Sequence, residues 1–282
     1  MAPTGQTAAP PFVVFTDLDG TLLDAHTYDA GPARGALGLL AARGVPVIFC
    51  SSKTAAEQRP LRAALGLSHL PFIVENGAAV LVPATSGLPV ADWPGDSACP
   101  TEHRRALGRS AEQVRAGIAR AASAAGLSVT GYADLSVAAV AELTGLDPAA
   151  AARARQREFS ETLVDRHRPE QWSALAATLR AEGLGLRHGG RFHTVTDLAT
   201  DKGRAVRLVA DLFGRQAGRA VATVGLGDSA NDEGLLAAVD QPWLVARPDG
   251  AWTPLAIPGL RRVPHAGPAG WAEAIRQLLS PS

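Results

Sequence analysis

The stretch VVFTDLDGTLLD, from Val13 to Asp24, sets the tightest limit on what this chain can fold into. An apolar run of β-branched and aromatic residues with no polar alternation suits a strand covered on both faces, as in parallel sheets flanked by helices. It ends in two acids, Asp17 and Asp19. Ligands of open parallel sheets sit at the carboxyl ends of the strands, so both acids fall where such sheets do chemistry. Burying two carboxylates costs several kcal/mol unless a cation or hydrogen-bond donors compensate. A bare DxD is more often an Asp-Gly turn than a metal site, so its meaning depends on the rest of the chain.

The rest repeats the pattern. After a strand at 11–17, helical spacing runs over 31–43. A second apolar strand follows at 45–52, a helix at 54–67 bent or restarted at Pro60, and a third strand with a turn at Asn76-Gly77 and a return through 83. Strand and helix alternating in this way indicate a parallel α/β sheet. Pro- and Gly-rich texture over 84–100 interrupts it. Beyond lie an Ala-rich helix across 101–125, short helices, a strand in EFSETLVD, a helix ended by Gly183 and a hairpin at 184–197 around Gly189-Gly190. Alternation returns with a helix at 201–214, a strand, Gly/Asp-rich loop and helix over 220–239, the strand PWLVARP and a closing helix at 270–279. The expected architecture is α/β: a Rossmann-like, doubly wound parallel core from residues 11–88 and 198–280, with an α+β domain inserted at 89–197. Residues 1–10 read as a disordered lead.

Composition narrows the function. Lys+Arg and Asp+Glu are 27 each, so no net charge favours nucleic acid or an anionic membrane. The two cysteines, Cys50 and Cys99, make no disulfide framework, and the N-terminus has no apolar targeting core, so the expected location is the cytoplasm. No stretch approaches the ~20 apolar residues of a membrane helix. The oligomeric state is not legible.

Three further segments give the acids a purpose. GLGDSAND also follows an apolar strand and supplies Asp228 and Asp232. The strand VIFCSS ends in Ser51 and Ser52, hydroxyl donors for a phosphate oxygen. TDKGRA puts Lys202 at a helix start, where both the cation and the helix terminus favour an anion. Acids, hydroxyls and a cation gathered at strand ends suit phosphoryl transfer. Asp17 is then a carboxylate nucleophile forming an aspartyl-phosphate, and Asp19 is acid to the leaving oxygen and base to water. Ser51 and Lys202 hold the phosphoryl group. The expected cofactor is Mg²⁺, at Asp17, Asp19 and Asp228 with a backbone carbonyl among the ligands. Gly20 permits close backbone approach and Thr21 braces the loop.

DLDGT, a strand ending in Ser, DKG and then GDSAND, in this order, resemble the haloacid dehalogenase superfamily of phosphohydrolases. The resemblance implies the same roles, with Asn231 and Asp232 behind the metal or on the phosphate side. The insertion between the Ser and Lys motifs resembles the α+β cap of the C2B class. SSKTAAEQ, VENGAAV, RQREFSETL and RHGGRFHTVTDLATDKGRA resemble the mannosyl-3-phosphoglycerate phosphatases. That family implies a small glycosyl phosphoglycerate substrate, mannosyl or glucosyl, and a product that serves as a compatible solute. Thr162, where Pro is expected after FSE, departs from the pattern. A substrate with carboxylate, phosphate and hydroxyls makes Arg157, Arg187 and Arg191 candidates for the carboxylate. Ser160 and Glu161 are candidates for sugar hydroxyls, Gly189 and Gly190 for backbone donors, and Lys53 reaches in from the core. ENGA reads equally as a hairpin turn or as placing Asn76 at the mouth of the site. Another sugar-phosphate phosphatase, a phosphosugar mutase using the same core, and a phosphoaspartate signalling module are the competing readings. The last lacks a reason for a large insertion.

Overall fold

The computed structural model describes residues 10–96, 99–189 and 191–280. Almost all of the expected N-terminal lead, and Gly190, lie outside them.

β1 (Phe12–Thr16) alternates inside the fold although every residue is apolar or nearly so. Val13 and Phe15 pack toward one helical layer and Val14 toward the other. That double burial is why the strand lacks polar alternation. β1 pairs in parallel with β2 (Val47–Cys50) on one side and β10 (Ala222–Gly227) on the other. β3 (Phe72–Val74), β11 (Gln241–Ala246) and β12 (Arg261–Ala266) extend the parallel set. β4 (Ala79–Pro83) returns antiparallel beside β3 and is followed by β6 (Cys99–Ala106) and the two-residue β5 (Gly95–Asp96). The nine strands run in the order β12-β11-β10-β1-β2-β3-β4-β6-β5.

Helices cover both faces. α1 (Gly31–Ala41), α2 (Ala55–Ala64) and α9 (Gly267–Leu279) bury Leu37, Leu40, Trp271 and Ile275 with Val14 and Phe49 on one face. α7 (Lys202–Ala217) and α8 (Glu233–Leu236) bury Val206, Val209, Leu212, Leu235 and Leu236 with Val13, Phe15 and Ile48 on the other. α2 opens on a capping box: Thr54 accepts from the Glu57 amide, and the Glu57 carboxylate accepts from the Thr54 amide. Pro60 lies within α2, which continues through it as one helix.

Two sequence expectations change here. Residues 101–106 are strand, with the helix α3 starting at Ala111 and ending at Ala125. β4 otherwise offers an unpaired edge, and β6 fills it from Pro83↔Glu102 to Ala79↔Ala106. The start of α3 was legible in Ser110-x-x-Gln113, which forms a capping box. The second change is β12, which was not expected. It carries Pro264 and exposes most residues, as an edge strand does. Because β5 and β6 lie on the main sheet, the expected insertion start at residue 89 falls ahead of two of its strands.

The remaining segment builds a second sheet, β7-β9-β8, from β7 (Ser160–Leu163), β8 (Leu184–Gly189) and β9 (Phe192–Asp197). α3 and α6 (Pro169–Ala181) cover one side of it through Val114, Ile118, Leu175 and Leu179. α4 (Val137–Thr144) and α5 (Pro148–Ala154, capped by Asp147) form a smaller cluster with Tyr132. The two chain crossings into this unit lie side by side. The Arg109 amide donates to Asp197 Oδ2 at 3.2 Å and its guanidinium pairs with the same oxygen at 3.1 Å.

Candidate active site

Parallel strands β1, β2 and β10 end together, and this brings their terminal residues to one place. Asp17 follows β1, Ser51 follows β2 and Asp228 follows β10. Lys202 opens α7, whose N-cap is Asp201, accepting from the Arg204 amide at 2.6 Å. Lys202 Nζ donates to Asp17 Oδ1 and to Asp232 Oδ1, each at 2.7 Å. All three groups are buried. Burial opposes the charge on Lys202, but Asp17 and Asp232 outweigh it and raise its pKa.

Backbone and side chains behind Asp17 lock its position. Its amide donates to the Leu226 carbonyl at 3.0 Å, and its carbonyl accepts from Thr16 Oγ1 at 2.7 Å. The buried Trp271 indole donates to the same Thr16 oxygen at 3.0 Å. Thr21 Oγ1 donates to Asp228 Oδ1 at 3.0 Å, bracing the loop after β10 against the loop after β1. Gly20 has φ 83°, and a Cβ there would lie 2.9 Å from Asp228 Oδ2, so both conformation and space require glycine.

Carboxylate oxygens of Asp17, Asp228 and Asp232 lie within 4.8 Å of one another. Burial, then Asp232, pushes the Asp17 carboxyl well above its ordinary range against the pull of Lys202. The same two causes push Asp228 up to about 7. Three carboxylates gathered this closely offer the oxygen donors that a hard divalent cation takes, so these residues fit one. Asp232 Oδ2 also accepts from the Asp228 and Ser229 amides, each at 3.1 Å, which holds the loop closed.

Asp19, also expected at the metal, makes different side-chain contacts. Its carboxylate is not in that cluster. Oδ2 pairs with Lys53 Nζ at 3.0 Å, and the buried Oδ1 has no hydrogen-bond partner among the described residues. Burial raises its pKa, with Lys53 opposing. A carboxyl held toward its protonated form is suited to giving up a proton. Lys53 also faces Glu57, at 3.9 Å, so it braces Asp19 from the core.

Ser51 is buried and its hydroxyl accepts from the Lys53 amide at 3.2 Å. The Ser52 carbonyl accepts from Arg157 at 3.3 Å, and Arg157 also donates to Ser160 Oγ at 2.9 Å. Arg187 lines a cavity of about 300 Å³ together with Asn76, Asp201, Lys202, Asn231 and Glu233. Asn231 donates to Asn76 Oδ1 at 2.8 Å. Two other expected substrate residues are engaged elsewhere. Arg191 donates to the Leu143 and Thr144 carbonyls at 2.6 and 3.1 Å, capping α4. Glu161 accepts from the Thr162 amide at 2.9 Å and pairs with Arg115 at 3.5 Å. It points to the same side of β7 as Leu163, which belongs to the apolar cluster with α3 and α6. Gly189 pairs with Phe192 at the hairpin end. A larger cleft of about 490 Å³ lies between α1 and α2 at the opposite end of β2, with no acid on its walls.

Sequence reading passed over Glu75. It is buried and accepts from the Glu158 amide at 2.9 Å, the Phe159 amide at 3.1 Å and the Ser160 hydroxyl. Burial raises its pKa. Its signal was an acid placed at the end of an apolar strand, as at Asp17.

Among known proteins, residues 14–91 match the family model described as haloacid dehalogenase-like hydrolase. The chain is 37% identical over 272 residues to a glucosyl-3-phosphoglycerate/mannosyl-3-phosphoglycerate phosphatase of Methanococcoides burtonii, covering 95% of this chain and 97% of that one. A protein of the same name from Persephonella marina is 33% identical over the same extent. In structure the fold is similar to sucrose-phosphatase from Synechocystis (TM-score 0.60, 15% identity, 96% and 99% of the two chains). It is also similar to a Thermoplasma acidophilum protein (TM-score 0.63, 15% identity, 95% and 96%). No helix among the described residues is long and apolar enough to cross a membrane.

Proposed function

This chain belongs to the haloacid dehalogenase-like hydrolases, in the branch of the glucosyl-3-phosphoglycerate/mannosyl-3-phosphoglycerate phosphatases, and on that premise we propose that it releases phosphate from a glycosyl-3-phosphoglycerate by way of an aspartyl-phosphate. The observation that carries the reading is the buried Asp17–Lys202–Asp232 constellation at the joined ends of β1 and β10, with Asp228 beside it.

In this reading an Asp17 oxygen attacks phosphorus while the bond between phosphorus and the glycerate oxygen breaks. Lys202 and Ser51 hold the phosphoryl oxygens. Asp19 gives its proton to the departing glycerate oxygen. It then takes a proton from water as that water attacks phosphorus, and the acyl phosphate opens to free Asp17 and inorganic phosphate. A divalent cation, Mg²⁺ in this proposal, would be held by Asp17, Asp228 and Asp232 and would supply positive charge between nucleophile and phosphate. Lys53 keeps Asp19 oriented. Ser52, Gly20 and Asn231 shape the loops, and Arg187, in the cavity beside Lys202, is the arginine best placed for the glycerate carboxylate.

The inserted unit, residues 107–200, serves as the cap that selects the leaving group. Cys50 and Cys99 are unpaired, in keeping with a reducing cytoplasm.

A phosphate-release assay with Mg²⁺ across mannosyl- and glucosyl-3-phosphoglycerate, sucrose phosphate and trehalose phosphate tests the reading. The phosphoglycerates should give the highest kcat/KM, without a bisphosphate activator. Preference for a plain sugar phosphate would reject the substrate. Dependence on a bisphosphate, with the phosphoryl group returned to sugar, would make the enzyme a mutase.

A further inference from the structure

The turn between β3 and β4 carries more contacts than a hairpin needs. Glu75, Asn76 and Gly77 have φ of 47, 63 and 93°. Left-handed backbone at two successive non-glycine residues is unfavourable and persists only where the surroundings hold it.

Here the holding comes from the loops of the phosphoryl site. The Glu75 amide donates to the Lys53 carbonyl at 3.1 Å, and the Asn76 amide to the Ser51 carbonyl at 2.9 Å. The Asn76 side chain takes the Asn231 hydrogen bond at 2.8 Å. Gly77 packs so closely on the start of α7 that a Cβ would sit 2.3 Å from the Asp201 carbonyl oxygen and 2.8 Å from the Lys202 nitrogen. Three residues thus touch the Ser51 loop, the Asp228–Asp232 loop and the backbone of Lys202.

The Glu75 side chain faces the other way, into the inserted unit. Its carboxylate gathers the amides of Glu158 and Phe159 and the hydroxyl of Ser160. Phe159 itself packs into the core cluster of the main sheet. So the start of β7 is pinned to the same turn that pins the site loops.

We infer that Glu75–Gly77 is a coupling turn: Glu75 is a positioning residue that ties the inserted unit to the core, and Asn76 relays that position to the acidic loop. The kinetic readout rests on the proposed phosphatase activity; the geometry does not.

Two variants of the full chain test it, assayed with Mg²⁺ on glycosyl-3-phosphoglycerate and on p-nitrophenyl phosphate. Glu75→Ala should lower kcat/KM on the glycosyl substrate 10- to 100-fold and on the small aryl phosphate less than threefold. Glu75→Gln, which keeps one accepting oxygen, should recover part of the loss. Asn76→Gly suits the left-handed backbone but deletes the link to Asn231, and it should lower kcat on both substrates with KM little changed. Amide hydrogen exchange supplies a readout independent of any substrate. In Glu75→Ala, protection should fall at 157–160 and also at 228–232. If Glu75→Ala fails to fold, Glu75→Gln should give the same substrate split and exchange pattern more weakly. Equal losses on both substrates for the Glu75 variants, or exchange changes confined to 157–160, would overturn the coupling. If wild type prefers another sugar phosphate, the substrate reading fails, and the same large-to-small ratio is read with that ester.

Discussion

Asp17 illustrates how much a single carboxylate depends on its neighbours. Burial and Asp232 favour its protonated form while Lys202 favours the charge, and only the charged form attacks phosphorus. Asp17→Asn keeps the shape and one accepting oxygen but removes the nucleophile. Turnover should fall at least 10³-fold with an unchanged circular dichroism spectrum; residual activity within tenfold, about 1.4 kcal/mol of barrier, would exclude the role. Cation binding must displace protons from the site, because Asp228 stands at about 7 without a cation. Lower pH refills the carboxylates with protons, so cation affinity weakens as pH falls. If one proton is displaced, the Mg²⁺ concentration for half-maximal turnover should rise roughly tenfold from pH 8 to pH 6. A requirement that stays constant over that range would contradict it.

At the scale of elements, the two arginines flanking the β8–β9 turn separate. Arg187 lines the cavity beside Lys202, whereas Arg191 caps the last carbonyls of α4. Arg187→Ala should therefore lower kcat/KM on glycosyl-3-phosphoglycerate by about 30- to 5000-fold, the ~2–5 kcal/mol lost with one partner of a desolvated charge pair, and affect p-nitrophenyl phosphate little. Arg191→Ala should cost stability, about 1 kcal/mol as for other lost caps, and shift both substrates together. Parallel assays and melting curves check this; selective loss in Arg191→Ala would restore its place in the substrate pocket. Element type was largely legible because it depends on near neighbours. The helix expected from residue 54 forms, and Thr54 with Glu57 supplies its capping box. β6 was misread as helix, since Cys99–Ala106 holds no apolar alternation of its own and becomes a strand by pairing with β4.

For the whole molecule, the proposed cation site joins Asp17 to Asp228 and Asp232, about 210 residues on in sequence, so a ligand there would stabilise the assembled core and not its unfolded chain. Mg²⁺ at about 100 times its Kd should add roughly 2.7 kcal/mol and raise the Tm by several degrees. Asp228→Asn should remove most of that rise. Equal shifts in both proteins, followed by calorimetry or fluorescence, would place the cation elsewhere.

What the sequence determined by itself is the set of groups and their positions on strand ends. Two acids after β1, serines after β2, Lys202 at a helix start and two acids after β10 follow from local periodicity and from the rule that parallel strands present their carboxyl ends together. Only the tertiary structure decided how those groups are shared. Asp19 turns to Lys53, Asp232 joins Asp17 and Asp228, Arg191 goes to α4, and Glu75 ties two units of the chain. Each is a choice among partners far apart in sequence, made by burial and distance. A buried carboxylate takes whichever donor the packing brings within reach, and no local pattern specifies which one that is.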